Sequence, residues 1–311
     1  MKRSLFLALV LGLIAPFFFF GGPGYHAERS FKAGWDLGHI VFFTIAALLL
    51  HGWLERGRQW SSARCLGGVF LLILLLGTGV ELLQMQLNGR YPDGYDLLRN
   101  QLGALLGYLL ASHVRGQLLA PWWRLALGLV VPVLLLVALW PLGRSLTDEY
   151  TARQQFPLLA DFETPFEQLR WLNPRQLTRQ STIVRHGDHA VKVSLTTAQY
   201  SGTSLFYFPG NWQGYSWLHF SVYNPLAQGL ELHCRIHDRQ HKKNGMVFKD
   251  RYHQKFFLHQ GWNDLKVFLT EVELAPASRS MAMEQIEGLG FFVIRQPHPR
   301  DIYLDYLYLS R

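Results

Sequence analysis

The chain has 311 residues, 49% of them hydrophobic, with 30 Lys and Arg against 22 Asp and Glu for a formal charge of +8. That length allows two domains, and the averages conceal two solvents: long apolar runs fill the chain up to about residue 145, and the remainder is polar, aromatic and alternating. The basic residues form no dense cluster and no DNA-binding motif frames them, which excludes nucleic acid as a partner, and two cysteines, Cys65 and Cys234, exclude a disulfide framework.

Crossing a bilayer takes roughly 20 apolar residues. Five segments approach that length: Leu5 to Phe20, Leu37 to Leu54, Cys65 to Leu87, Asp96 to Val114 and Trp122 to Leu142. Lys2 and Arg3 precede the first, as in a signal peptide, but no small-residue cleavage site follows Phe17 to Phe20, so it reads as an uncleaved anchor. Lys2 and Arg3, then Arg56, Arg58 and Arg64, then Arg115 and Arg124 form the richer set of basic loop residues, against Arg29 and Lys32, Arg90, and Arg144. The richer set belongs in the cytoplasm. The protein is therefore expected in an inner or cytoplasmic membrane, N-terminus inside, with everything after Leu142 on the extracytoplasmic, periplasmic side.

Ionisable groups within spans are costly and face a protein interior or a water-filled site. Here they share one leaflet: His39 in the second span, Glu81 and Gln84 late in the third, Asp96 and Asn100 opening the fourth, with Arg90 and Asp93 in the loop between. Glu81 and Gln84 share a helix face at i, i+3, as do Asp96, Asn100, Gly103 and Gly107 at i, i+4, i+7 and i+11. Gly103-xxx-Gly107 allows close backbone approach, which sets that face against a neighbouring helix. Arg90 is placed to neutralise Glu81 or Asp96, or to meet an anionic ligand. The available chemistry is acid–base work or headgroup binding, against the plainer reading that the groups specify helix packing. A metal held by His39, Glu81 and Asp96 is open, although the spacing is no ligand signature.

Taken together, Asp36-x-x-His39, Glu81-x-x-Gln84, Gly89-Arg90, Asp93-x-x-Asp96, Asn100, Gly103 and Gly107 resemble the VanZ-like membrane protein family over Trp35 to Gly107. The resemblance implies an envelope protein, in a family whose founding member is associated with glycopeptide antibiotic resistance. Phe42-Phe43 depart from the pattern, which often has a Tyr in the turn after the histidine.

After a linker at 146–155, the region 156–311 alternates with period two between Gly, Pro and Asn turn signals, as in an antiparallel sandwich. Eight strands are expected, at Ala190 to Leu195, Ser204 to Phe208, Trp217 to Tyr223, Gly229 to His237, Lys255 to His259, Asp264 to Leu269, Gly290 to Arg295 and Ile302 to Leu309, which makes a jelly roll. Alternation turns Leu230, Leu232, Cys234 and Ile236 inward and Glu231, His233, Arg235 and His237 outward. With Asp238, Arg239, Tyr252 and His253, the outward set supplies aromatic and hydrogen-bonding groups of the kind that bind sugars. His233, His237 and His241 carry helical spacing on an extended strand, which argues against zinc.

Asp161-Phe-Glu163, Asn211-Trp-Gln-Gly-Tyr-Ser-Trp-Leu218, Gly261-Trp-Asn263 and Ile302-Tyr-Leu-Asp305 resemble jelly-roll carbohydrate-binding modules of the galactose-binding-like fold. The resemblance implies glycan binding and, in some members, a structural calcium, for which Asp161, Glu163 and Asp305 would be the oxygen ligands. No other cofactor is expected. The whole reads as an α-helical transmembrane bundle of about five spans followed by an all-β jelly-roll sandwich. The expected partners are membrane lipid and an envelope polysaccharide or lipid-linked saccharide. A membrane-embedded enzyme using carboxylate and His acid–base chemistry, or a scaffold binding a protein partner, are the alternatives.

Overall fold

The computed structural model describes residues 2–58, 61–86, 94–114 and 121–311, and the chain divides into two compact units, Met1–Gly143 and Arg144–Arg311. Arg90 and Asp93 lie outside the described residues.

The first unit is helical: α1 (Lys2–Ile14), α2 (Arg29–Asp36), α3 (Gly38–Arg58), α4 (Ser62–Gln84), α5 (Gly94–Val114) and α6 (Pro121–Gln155), the last of which continues into the second unit. Among the described residues, three stretches are long and apolar enough to cross a membrane, Arg29–Glu55, Ala63–Gln84 and Leu125–Gln155, and Ser4–Phe18 is a shorter apolar helix. The chain is a membrane protein on these helices. Gly94–Val114 occupies the fourth expected span but falls below that apolarity, because Asp96, Arg99, Asn100, Gln101 and His113 interrupt it.

Helix α5 packs on α3 through the two glycines foreseen for close approach. A Cβ at Gly103 would lie 2.7 Å from the Ile40 carbonyl oxygen, and one at Gly107 would lie 2.5 Å from that of Thr44. Gly77 does the same for α4, where a Cβ would meet Asn100 Nδ2 at 2.5 Å. The small core holds Phe18, Phe43, Ala46, Ala47, Leu54, Cys65, Val69, Ile73 and Ala104. By contrast, Leu125, Leu129, Leu136 and Val137 of α6 stand exposed, as lipid-facing residues must.

Residues 146–155, expected as a linker, are instead the last turns of α6 and belong to the second unit. The apolar helix Leu125–Gln155 has 31 residues. At 1.5 Å per residue it is about 46 Å long, more than the roughly 30 Å of hydrocarbon that a span must cross. Its charged end is fastened within its own unit: the Arg170 guanidinium donates to Asp148 from Nε at 3.0 Å and Nη2 at 2.9 Å, and from Nη1 to the Leu159 carbonyl at 3.2 Å. Both side chains are fully buried.

The second unit is an antiparallel sandwich of β1 (Leu158–Ala160), β2 (Trp171–Leu172), β3 (Leu177–Gln180), β4 (Ala190–Leu195), β5 (Tyr200–Leu205), β6 (Trp217–Asn224), β7 (Leu230–Asp238), β8 (Tyr252–Leu258), β9 (Gly261–Phe268), β10 (Ile286–Ile294) and β11 (Arg300–Ser310). One sheet runs β3-β4-β11-β6-β9 with β1 also paired to β11; the other runs β2-β5-β10-β7-β8. Each of the eight expected strands overlaps one of β4 to β11. The expected Ser204 to Phe208 starts too late, because β5 is Tyr-Ser-Gly-Thr-Ser-Leu and its inward residues Ser201 and Thr203 are polar. The core between the sheets includes Leu232, Cys234, Ile236, Phe220, Trp171 and Trp212, so alternation in β7 assigns its inner face as expected.

Candidate functional site

Two groups of chemistry-bearing residues emerge, one in each unit. In the bundle, α3, α4 and α5 bring His39, Glu81 and Asp96 together. Among the described residues, this is the only set of three His, Cys, Asp or Glu side chains whose ligand atoms all lie within 4.8 Å of one another. Asn100, fully buried on α5, faces His39 with Oδ1 2.9 Å from Nδ1. An amide oxygen only accepts, so Nδ1 is the donor in this contact and Nε2 is the nitrogen turned to the cluster. Nε2 stands 3.5 Å from Asp96 Oδ2. The other Asp96 oxygen takes a hydrogen bond from Arg99 Nη1, and Arg99 Nη2 reaches Asp36 at 3.5 Å.

Phe18 meets the imidazole edge-on at 4.8 Å between ring centres, and Phe43 stacks beside it at 6.4 Å. The residue at which the sequence departs from the family's phenol is therefore an apolar wall of the imidazole. Gln84, expected to line the site, instead donates from Nε2 to the Phe18 carbonyl at 2.8 Å, fixing the segment after α1. Sequence reading gave the neutralising role to Arg90; among the described residues Arg99 holds Asp96. The signal for Arg99 was its i, i+3 spacing from Asp96 on the same helix.

In the sandwich, the outward face of the β2-β5-β10-β7-β8 sheet carries a floor of flat rings. Register places Phe292 opposite His233, Gly290 opposite Arg235, and Gly288 opposite His237. A Cβ on Gly288 would fall 2.1 Å from the His237 ring, and one on Gly290 would fall 2.8 Å from Ser204 Oγ and 3.4 Å from Arg235 Nε. These two glycines are what let an imidazole and a guanidinium lie down on the strands. His233 stacks on Phe292 at 5.1 Å and on His253 at 5.0 Å, and His233 Nδ1 is 2.8 Å from His253 Nε2.

Tyr200 stands edge-on to Phe292 at 6.0 Å and Phe248 edge-on to His253 at 5.1 Å, bounding the floor with rings that are 63% and 59% exposed. His233 itself is only 2% exposed and lies beside His253 as the buried ring of the floor. Burial lowers the pKa of His233 and His253, and burial with the nearby Arg235 and His241 lowers His237 to about 3. At neutral pH these imidazoles are uncharged hydrogen-bonding groups.

Two residues expected on this face are elsewhere. Tyr252 opens β8 opposite Ile236 and points into the core. Asp238 is fully buried and accepts from both Nη atoms of Arg279 and, at 2.8 Å, from the Ala282 backbone amide, so it closes a loop. Tyr200, Phe248 and Phe292 were missed, because two precede or follow the strands that alternation detects and the third is shielded in sequence by Phe291.

Asp161, Glu163 and Asp305, expected as calcium ligands, each accept hydrogen bonds from backbone amides. Glu163 accepts from the backbone amides of Asp188 and His189, both at 2.8 Å, and Asp305 from those of Arg185 at 2.8 Å and His186 at 3.0 Å. Asp161 accepts from the Glu163 amide at 3.2 Å. Glu163 and Asp305 pin the Arg185–His189 loop, where Gly187 has φ +68 and no room for a Cβ beside Glu163.

No curated protein matches the chain by sequence. Among solved structures, the family 11 carbohydrate-binding module from Clostridium thermocellum in complex with a β-1,3-1,4-mixed-linked tetrasaccharide is similar at 17% identity and TM-score 0.36, over 49% of this chain and 94% of that one. A carbohydrate-binding module of family 28, specific for non-crystalline cellulose, aligns at 8% identity and TM-score 0.31, over 43% and 80%. An exo-β-agarase aligns at 9% identity and TM-score 0.33, over 43% of this chain and 22% of its own length. Residues 4–115 match the family model described as VanZ/LLP1, a stretch that contains Asp36, His39, Glu81, Gln84, Asp96, Arg99 and Asn100 and so makes the helical unit VanZ-like.

Proposed function

We propose that the protein binds an envelope glycan, or the saccharide of a lipid-linked precursor, on the outer face of the β2-β5-β10-β7-β8 sheet, while the VanZ-like helices hold it in the membrane. The observation that carries this reading is the floor of parallel rings formed by His233, His253 and Phe292 between exposed Tyr200 and Phe248. Sugar rings present apolar C–H faces that stack on such a floor, and their hydroxyls exchange hydrogen bonds with neutral imidazoles and accept them from Arg235. The distribution of Lys and Arg supports an extracytoplasmic sandwich, where such glycans are found.

The full chain in lipid nanodiscs, titrated with envelope polysaccharides and lipid-linked saccharides with and without calcium, tests the reading. Saturable binding that weakens about two- to tenfold in Tyr200→Ala or His253→Ala is expected, since an aromatic contact beyond area burial contributes about 0.5–1.5 kcal/mol. Absence of binding across the panel refutes it.

The convergence of His39, Glu81 and Asp96 favours a second reading, in which the bundle performs acid–base chemistry on the lipid-proximal part of the same molecule. Full retention of any such activity in Glu81→Gln excludes it.

A further inference from the structure

The geometry points to a divalent-cation site in the bundle, with His39 Nε2 and one oxygen each from Glu81 and Asp96 as ligands and a zinc- or manganese-class ion as the occupant. This does not rest on the glycan reading. Zinc binds imidazole nitrogen and carboxylate oxygen at about 2.0–2.2 Å, which sets neighbouring donors roughly 3.3–3.5 Å apart in a tetrahedron. His39 Nε2 and Asp96 Oδ2 already stand 3.5 Å apart, too far for a hydrogen bond of ordinary length and the right distance for two ligands of one ion. All three donor atoms fall within 4.8 Å, so closing the set needs a shift of about 1.5 Å at most, within reach of a side-chain rotation.

The supporting contacts are those that a metal site requires. Bound imidazoles nearly always donate their other N–H to an oxygen, and His39 Nδ1 is 2.9 Å from Asn100 Oδ1, so Nε2 is the nitrogen left to ligate, inside a side chain more than nine-tenths buried. Asp96 has one oxygen held by Arg99, which in turn reaches Asp36, leaving Oδ2 directed at the cluster. Phe18 and Phe43 wall the imidazole with apolar rings, which lowers the local dielectric and strengthens attraction between carboxylates and a cation. One nitrogen with two carboxylate oxygens suits zinc or manganese better than the all-oxygen shells of calcium and magnesium. Three protein ligands leave coordination positions open to water or to a phosphate oxygen of a lipid headgroup.

The test uses the full chain in nanodiscs, stripped with a chelator, dialysed against ZnCl2, MnCl2, MgCl2 or CaCl2, and assayed for bound metal. Expected is about one zinc or manganese ion per chain, lost in the His39→Ala, Glu81→Gln double variant and bound roughly 10–100-fold more weakly by Asn100→Ala. Where a variant fails to fold, wild-type protein loaded with Co2+ supplies the second measurement: ligand-field absorption of an ion with nitrogen and oxygen donors, competed by zinc. Wild-type protein that takes up no metal after stripping, or gives only the spectrum of aqueous Co2+, overturns the proposal. An imidazolium–carboxylate pair between His39 and Asp96 would produce that result.

Discussion

The two units place similar side chains in opposite circumstances. In the bundle, three helices aim His39, Glu81 and Asp96 at one another, and the order comes from Asn100 and Arg99 behind them. In the sandwich, His233, His237 and His253 lie flat on a sheet and are supported by Gly288, Gly290 and Phe292. The bundle uses glycine to bring backbones together; the sheet uses it to let side chains lie down. A convergent cluster concentrates charge and selects an ion or a proton, whereas a flat floor spreads contact area and selects a ring.

The sharpest way to break the comparison is at the buried Asp148–Arg170 pair, where the second unit treats charge as the bundle does. Asp148→Ala leaves a buried guanidinium without its carboxylate, a change that costs about 3–5 kcal/mol, and thermal unfolding followed through the sandwich should show it. Replacing Asp148 and Arg170 together by apolar residues should recover much of the loss. An Asp148→Ala variant that melts like wild type would mean that the pair adds nothing.

Next in size is Gly107→Val on α5, whose Cβ would lie 2.5 Å from the Thr44 carbonyl oxygen. Overpacking of this kind costs about 1–3 kcal/mol, should separate α3 from α5, and should lower the midpoint of denaturation in detergent. The matching Gly79→Ala, where a Cβ meets nothing within 4 Å, should be close to neutral.

A third effect, spread over several pH units, is the pH dependence of the sandwich. His237 is held down to about 3 from an ordinary 6.5, so the unfolded chain takes up a proton that the folded one refuses, and stability present above 6.5 falls as pH drops toward 3. Glu167 has the opposite sign: burial raises it from 4.5 to about 7, so its contribution is present below 4.5 and is lost as pH rises through 7. His237→Gln should flatten the acid side of the stability curve and Glu167→Gln the neutral side, both read by denaturant titration across pH. A curve unchanged by either substitution would show that the two groups titrate alike folded and unfolded.

Much of this was legible in one dimension. Apolar run length marks a helix in lipid because an unpaired backbone cannot cross hydrocarbon, and period two marks a half-buried strand because side chains alternate across a sheet. So the sequence alone determined the division into a membrane bundle and a sandwich, the two faces of β7, and the glycine-bearing face of α5. Polar residues inside apolar runs were conspicuous for the same reason, which is why His39, Glu81, Asp96 and Asn100 were named before any contact was known.

Contacts between elements distant in sequence were decided only by the tertiary structure. Arg170 finding Asp148, Arg279 closing on Asp238, and Phe18 walling His39 each join residues whose local patterns say nothing about one another. Phase in short or polar strands was undecided as well: Tyr252 turned inward, and β5 began earlier than its apolar residues suggested, because cross-strand pairing and packing set register there. Solvent and periodicity act along the chain and can be read from it, whereas partnership depends on which surfaces meet when the chain closes.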